Sequence, residues 1–384
     1  MDGYAWRRPV LKLGSSTLTG GSRELSLARI ADVVEQVARL RLDGLQPIVV
    51  SSGAIAAGRQ RLGHPQDRKD VSFKQVLAAV GQSRLMHLYD QFFEFYGVIS
   101  AQVLLTRADL AERGRYLNAR DTLLGLCARG VVPIVNENDV VASDEIKVGD
   151  NDTLSALVAT LVDADLLVLV SDVSGLYTGD PDEDEAAELV REVVVITPEI
   201  EGYARGARSR LGTGGMATKI DAAKLATTSG TEARIVDGRE PRVLLRTLAG
   251  ESLGTRFVPH ANPVEGRKRW ILSRVKAAGS LLIDRGAVRA LREQDASLLP
   301  AGTLRVHGIF ERGDAVEIIS EDGTPVARGI ANYGSGDSAR IAGRRSTEIE
   351  QELGYTYGDY LVHRDNLVCL YGTARDGTER KTHA

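Results

Sequence analysis

The segment Asn136–Leu157, NENDVVASDEIKVGDNDTLSAL, is the most informative part of the chain. Seven of its acid or amide side chains, those of Asn136–Asp139 and Asp150–Asp152, stand beside two apolar elements. The apolar run Val131–Val135 predicts a buried strand, and Thr153–Ala159 predicts a helix with Asp and Asn around its start. In open α/β sheets, ligands collect where strands end and helices begin. Helix capping and turn formation explain one or two of these polar residues, but not all seven. The segment therefore predicts a small-molecule site.

Strands and helices alternate on both sides of this segment. Apolar runs such as Pro47–Val50 and Leu166–Val170 indicate a mostly parallel sheet sandwiched by helices, because such strands are buried on both faces. Further along, short strands separated by glycine turns indicate a second, small, mainly β domain. A chain of 384 residues is long enough for two cores, since single cores rarely exceed about 250–300 residues. We predict an α/β domain over residues 1–262, a linker over 263–274, a small β domain over 275–372 and a disordered tail over 373–384.

The composition is that of an ordinary globular protein, with 43% hydrophobic and 26% charged residues. The formal net charge of −4 provides no basic field that would attract nucleic acid or anionic lipid. Cys127 and Cys369 stand far apart and the histidines are scattered, so we assign no residue to a metal. No apolar run approaches the roughly 18 residues of a membrane span, and the N-terminus lacks the apolar core of a signal peptide. We therefore expect a cytoplasmic protein without a membrane partner.

Two lysines lie where a phosphate could bind. Lys12 is at the end of a predicted strand and precedes Gly14 and three hydroxyl residues, whereas a surface lysine on an edge strand is the ordinary alternative. Lys219 is on the first turns of a predicted helix, after the glycine-rich loop of Gly212–Lys219, GTGGMATK. Glycine amides and a lysine together favour a phosphate. This loop is not a Walker A motif, and the weak strand pattern before it argues against a dinucleotide-binding fingerprint.

Two further strand ends are weaker candidates. Ser51-Ser52-Gly53-Ala54 follows a strand and begins a helix, which favours an anion, although helix capping by serine explains it equally well. Ser171-Asp172 ends another strand, and Tyr177 in the following loop gives a faint indication of a nucleotide.

Lysines in glycine loops with carboxylates between them are the groups that phosphoryl transfer needs. The sequence presents no obvious catalytic base. A carboxylate acceptor would need none, because it is already ionised at neutral pH.

Nearly the whole chain, from about Val10 to about Leu370, resembles the glutamate 5-kinase family, a branch of the amino-acid kinases. The motifs that carry the resemblance are VLKLGSSTLTGG, VVSSGAIAAGR, LLTRADL, NARDTL, PIVNENDVVASDEIKVGDNDTLSALVA, SDVSGLYTGDP and GTGGMATK. The later segments SLLPAGTLRVHGIFERGDAVEI and ARGIANYGSGDSARIAG are similar to the PUA domain of that family. The resemblance implies ATP-dependent phosphorylation of the side-chain carboxylate of L-glutamate, giving L-glutamyl 5-phosphate and ADP. It further implies the first committed step of L-proline synthesis, with proline as an inhibitor.

The resemblance also assigns roles to residues. Lys12 and Lys219 would neutralise the moving phosphoryl group, and Asp152 would hold the two lysines. Glutamate would be held by Ser52, Asp139, Asn151 and Asp150. ATP would contact Lys12, Ser171, Asp172, Thr213, Gly214, Gly215, Met216, Ala217, Thr218 and Lys219. Mg²⁺ would bridge the phosphates of ATP, and Ser171 stands where the family commonly has threonine.

The expected partners are L-glutamate, ATP and the next dehydrogenase of the pathway, with a dimer or tetramer as the assembly. RNA is a further candidate because PUA domains often bind it, yet acids and bases after Trp270 are roughly balanced. A sibling kinase acting on another acid remains one alternative. A non-catalytic RNA-binding or amino-acid-sensing protein is the other.

Overall fold

The computed structural model describes residues 4–66, 70–142, 151–181, 183–184, 186–206, 215–259 and 277–370. The chain divides into two compact units, Met1–Pro263 and Val264–Ala384. The predicted linker over 263–274 and the predicted tail over 373–384 lie outside the described residues.

The first unit contains an eight-stranded sheet with the order β3-β4-β2-β1-β5-β7-β8-β6. Its strands are β1 (Pro9–Leu13), β2 (Ile48–Ser51), β3 (Ser100–Leu105), β4 (Val132–Glu137), β5 (Leu166–Ser171), β6 (Glu192–Val193), β7 (Glu232–Asp237) and β8 (Thr255–Phe257). Neighbouring strands pair in parallel, except that β8 runs antiparallel to β7. The predicted mostly parallel sheet is confirmed.

Helices cover both faces of this sheet. They are α1 (Ser15–Thr19), α2 (Leu27–Leu42), α3 (Ala54–Arg61), α4 (Val71–Glu94), α5 (Arg107–Ala111), α6 (Arg113–Ala128), α7 (Asn151–Leu161), α8 (Pro198–Gly206), α9 (Met216–Thr228) and α10 (Val243–Leu248). One core packs α2, α3, α4 and α10 against the sheet, and a second core packs α6, α7 and α9 against the opposite face. Burial on both faces explains the continuous apolar runs of β2 and β5.

Strand β1 lies in the middle of the sheet, between β2 and β5. Leu11 and Leu13 belong to the first core and Val10 to the second. Because side chains alternate along a strand, Lys12 projects to the same face as Val10, which α7 and α9 cover. Lys12 is therefore a buried residue of a central strand, which excludes the alternative of a surface lysine on an edge strand.

Helices α3 and α4 cross at two glycines. A Cβ on Gly81 would lie 1.8 Å from the carbonyl oxygen of Ala54, and one on Gly58 would lie 1.9 Å from that of Leu77. Only glycine permits this approach of two backbones. The crossing fixes α3, whose first residue follows the strand-end segment Ser51–Gly53.

We expect Gly81→Ala to lower the free energy of unfolding by about 2–3 kcal/mol, because the added carbon must push two backbones apart. Chemical denaturation measures this change. Gly125→Ala on α6 is the matched control, since its Cβ would meet only Arg129 Nη1 at 3.5 Å. That control should be neutral or slightly stabilising. A Gly81→Ala protein as stable as the control would show that the crossing tolerates a wider spacing.

The second unit is a five-stranded sheet with the order β10-β9-β11-β12-β13 around its own core. Its strands are β9 (Gly279–Ile283), β10 (Thr303–Gly308), β11 (Ala315–Ser320), β12 (Pro325–Ile330) and β13 (Leu367–Cys369), with helices α11 (Arg285–Glu293), α12 (Ser335–Ile341) and α13 (Ile349–Leu353). The prediction of a small, mainly β domain is confirmed. Across the described parts of the chain, no helix is both long and apolar enough to cross a membrane.

Candidate active site

The carboxyl ends of the parallel strands meet at one edge of the large sheet. Four strands end there with a polar residue: β2 at Ser51, β4 at Glu137, β5 at Ser171 and β7 at Asp237. Helices α7 and α9 begin beside them and pack against each other. This edge is where open parallel sheets bind ligands.

The centre of the site is the carboxylate of Asp152 on the first turn of α7. Lys12 Nζ lies 2.5 Å from its Oδ1, and Lys219 Nζ lies 3.4 Å from its Oδ2. The hydroxyl of Thr218 donates a hydrogen bond to Oδ2 at 2.8 Å. Asp152 is fully buried, and both lysines are at least nine-tenths buried. The structure thus brings together the three residues that the sequence singled out for catalysis.

Opposing effects set the pKa of Asp152. Burial raises it, but the positive charges of Lys12 and then Lys219 outweigh burial, and the pKa falls to about 2. The carboxylate therefore stays ionised at neutral pH. Two ammonium groups and one carboxylate give these three side chains a formal net charge of +1. A buried positive charge of this kind is costly unless an anion joins it.

Asn151, beside Asp152, connects three elements of the site. Its Nδ2 donates to the carbonyl oxygen of Ser51 at 3.0 Å, to Ser52 Oγ at 2.9 Å and to Asn136 Oδ1 at 3.0 Å. The backbone N–H of Ser52 in turn donates to the carbonyl oxygen of Leu13. Ser52 and Asn151, both predicted site residues, are therefore in direct contact.

Asn136, Gln82 and Tyr89 extend this network and were not assigned to the site from the sequence. Asn136 Nδ2 donates to Gln82 Oε1 at 2.8 Å. The hydroxyl groups of Ser51 and Tyr89 are 2.8 Å apart, and burial raises the pKa of Tyr89. Asn136 is in the segment NEND and could have been found from it. Gln82 and Tyr89 are on α4, whose position beside β4 and β2 no local sequence pattern reveals.

Asp139 lies in the turn that follows β4 and is partly buried. Burial raises the pKa of this carboxyl group. A cationic ligand would stabilise the ionised form of a carboxyl group in this position, because its charge would offset the loss of hydration.

Ser171 and Asp172 lie at the end of β5. Ser171 is buried, and its hydroxyl donates to Asp172 Oδ1 at 3.3 Å. Gly215 precedes α9, and Met216 is buried on its first turn, whereas Ala217 is exposed. Asp150, Thr213 and Gly214 lie outside the described residues.

The described residues contain no group of three or more His, Cys, Asp or Glu side chains placed to hold a metal ion. Both oxygens of Asp152 already face lysines. The residues described at this edge therefore suit a metal ion bound to the phosphate groups of a ligand better than a metal ion held by protein side chains alone.

Two buried lysines on one carboxylate, at the edge where an open parallel sheet binds ligands, provide the charges that a phosphotransferase needs. Residues 7–237 match the Amino acid kinase family, and residues 279–353 match the PUA domain. The chain belongs to the amino acid kinase family and is an enzyme that uses ATP.

Three relatives show how far the similarity extends. A glutamate 5-kinase of Herpetosiphon aurantiacus is 51% identical over 370 residues, which cover 96% of this chain and 100% of the relative. A glutamate 5-kinase of Deinococcus radiodurans is 52% identical over 363 residues, 94% of this chain and 100% of the relative. A glutamate 5-kinase of Shewanella sediminis is 49% identical over 365 residues, 95% of this chain and 98% of the relative. The resemblance identified from the motifs is confirmed.

Proposed function

We propose that this enzyme transfers the γ-phosphoryl group of ATP to the side-chain carboxylate of L-glutamate, forming L-glutamyl 5-phosphate and ADP. The observation that carries the proposal is the buried group of Lys12, Asp152 and Lys219, with its formal net charge of +1. The names of the relatives, all glutamate 5-kinases, support glutamate as the acceptor.

In the reaction, an oxygen of the glutamate side chain forms a bond to the γ-phosphorus of ATP. The bond between that phosphorus and the bridging oxygen breaks, and ADP leaves with the electron pair. The nucleophile is already an anion at neutral pH, so no proton has to be removed by a base. Catalysis then rests on bringing two anions together and stabilising the charge of the transition state.

Lys12 and Lys219 perform that stabilisation in our proposal. Each ammonium group is fixed by Asp152, so neither has to reorganise when the phosphoryl group moves. Asp152 holds the two lysines and does not react. Its low pKa keeps it ionised throughout the pH range in which such an enzyme works.

The residues around Asn151 form the glutamate site in this proposal. Ser52 and Asn151 would hold the acceptor end, and Asp139 would bind the substrate ammonium group. Asp150, outside the described residues, would complete the pocket.

The nucleotide would contact Ser171 and Asp172 at the end of β5 and the segment from Thr213 to Lys219 at the start of α9. Mg²⁺ bound to the phosphate oxygens would supply further neutralisation of charge.

The pH dependence of glutamate binding tests the role of Asp139. We expect Asp139→Asn to raise the glutamate KM about tenfold or more with little change in kcat, because the charged contact to the ammonium group is lost. In the wild type, KM should also rise as the pH falls towards the raised pKa of Asp139, since the protonated carboxyl no longer attracts a cation. Protonation of the substrate's own carboxyl groups affects both proteins in the same way. The comparison with Asp139→Asn therefore isolates the contribution of Asp139 to the pH dependence of KM. An identical pH profile of KM in the two proteins would remove Asp139 from the pocket.

ADP release with a panel of acids tests the acceptor. L-glutamate, L-aspartate and N-acetyl-L-glutamate differ in the length of the side chain or in the ammonium group. We expect release with L-glutamate and at least a hundredfold lower kcat/KM with the other two. A preference for either alternative would retain the phosphotransfer site and reassign the pocket.

We further propose that the product enters L-proline synthesis in the cytoplasm, that proline inhibits the enzyme, and that the chain assembles as a dimer or tetramer. The labile acyl phosphate would pass to the next dehydrogenase. Similarity to glutamate 5-kinases over nearly the full chain supports these statements.

A further inference from the structure

Gln82, a residue of α4, contacts the candidate glutamate site through Asn136. Its Oε1 accepts the hydrogen bond from Asn136 Nδ2 at 2.8 Å, and Asn136 Oδ1 accepts one from Asn151 Nδ2. About two turns earlier on the same face of α4, Gln75 Nε2 donates to the carbonyl oxygen of Ala142 at 3.3 Å. Helix α4 is thus hydrogen-bonded both to Asn136, which contacts Asn151, and to Ala142, at the end of the turn that contains Asp139.

A backbone group fixes the orientation of Gln82. The N–H of Glu137 donates to the side-chain atom of Asn136 at 2.9 Å, and a backbone N–H can only donate. That atom of Asn136 must therefore be the oxygen, and its NH₂ group faces Gln82. Gln82 must then offer its own oxygen to Asn136. The NH₂ group of Gln82 is consequently the one left over.

The NH₂ group of Gln82 is a buried hydrogen-bond donor. Gln82 Nε2 is buried and has no hydrogen-bond partner among the residues that the structure describes. A buried donor without an acceptor is costly, and such exceptions in native proteins need an explanation. An anion bound beside Asn136 and Gln82 would provide the missing acceptor.

We propose that Gln82 Nε2 donates a hydrogen bond to the α-carboxylate of the amino-acid substrate and so selects for it. The proposal rests on the proposed function, because it takes L-glutamate as the ligand. The side-chain carboxylate of glutamate has to approach the lysines, so another donor has to receive the α-carboxylate. The α-carboxylate and the ammonium group share one carbon atom, so their binding groups must be neighbours. Gln82 meets this condition because it bonds Asn136, three residues before Asp139.

Two substitutions separate this role from a purely structural one. Gln82→Met keeps the length of the side chain but removes both the acceptor and the donor. Gln82→Glu keeps an oxygen for Asn136 and replaces the free NH₂ with a second oxygen. If Gln82 only positions Asn136, Gln82→Met should be the more impaired of the two, because Gln82→Glu keeps the oxygen that Asn136 needs. If Gln82 binds the α-carboxylate, Gln82→Glu should be the worse of the two, because two carboxylates would face each other.

We expect the glutamate KM to rise about tenfold or more in Gln82→Met and further in Gln82→Glu, with kcat and the KM for ATP within about threefold of the wild type. Gln91→Met, an exposed glutamine on the same helix, is the matched control and should be unchanged. A near-normal KM in Gln82→Glu would overturn the proposal. Wild-type turnover with glutamate in the same assay tests the proposed function separately, so the two failures are distinguishable.

A substrate analogue identifies the group that Gln82 contacts. 4-Aminobutyrate has the acceptor carboxylate and the ammonium group of glutamate but lacks the α-carboxylate. Its inhibition constant against glutamate should differ by less than twofold between the wild type and Gln82→Met. A parallel weakening of 4-aminobutyrate and glutamate would overturn the assignment to the α-carboxylate.

Discussion

Replacing Lys219 or Lys12 with methionine should lower kcat by about 10²–10³, equivalent to about 3–4 kcal/mol of transition-state stabilisation. Methionine fills most of the volume of the buried lysine stem and removes only the charge. Each substitution changes the formal charge of the group around Asp152 from +1 to zero. That charge acts on the transferring phosphoryl group, so kcat should fall much more than the glutamate KM rises.

The matched control is Lys224→Met. Lys224 is on the same helix as Lys219, but its side chain is exposed and its Nζ is 2.6 Å from Glu201 Oε1. We expect kcat within about twofold of the wild type. A Lys219→Met enzyme with the turnover of this control would remove Lys219 from the mechanism, and the same comparison applies to Lys12.

Asp152→Asn should lower the free energy of unfolding by about 3–5 kcal/mol and also reduce kcat. The substitution leaves two buried ammonium groups close together without the carboxylate between them, and removing one partner of a buried ion pair is strongly destabilising. Denaturation in urea measures the loss. Asp221→Asn, at an exposed position of α9, should change stability by less than about 0.5 kcal/mol.

The pH dependence of this loss identifies its cause. The pKa of Asp152 is lowered in the folded protein, so the carboxylate stabilises the fold above about pH 4 and loses that effect as the pH falls towards 2. The stability difference between wild type and Asp152→Asn should therefore shrink over this range. In addition, Lys219→Met should be less harmful to stability in the Asp152→Asn background than in the wild type, because it removes an uncompensated charge. Additive effects of the two substitutions would contradict the proposed electrostatic coupling.

Much of the site could be predicted because its residues stand at recognisable points of the chain. Lys12 is near the end of a strand, Lys219 follows a glycine-rich segment, and Asp152 is on the first turn of a helix after a polar stretch of sequence. Each position indicates a ligand site by a local rule. The residue pattern alone could not show that a single carboxylate contacts both lysines, because that contact depends on how helices α7 and α9 pack against each other.

Long-range order could not be predicted in the same way. Strand β5 pairs with β1 although the partners Pro9 and Leu166 are 157 positions apart, and β8 runs antiparallel to β7. Neither fact follows from apolar periodicity, which is the same for each buried strand. Gln82 was missed for the same reason. Its helix pattern places it on α4, and only the packing of α4 brings it to Asn136.

The regiochemistry of the product shows which carboxylate of glutamate accepts the phosphoryl group. Wild-type enzyme is incubated with ATP, L-glutamate and hydroxylamine, and the trapped hydroxamate is compared by chromatography and mass spectrometry with authentic α- and γ-glutamyl hydroxamates. We expect the γ-isomer, formed in equal amounts with ADP and lost in Lys219→Met but not in Lys224→Met. The α-isomer, or ADP formed without any hydroxamate, would contradict transfer to the side-chain carboxylate.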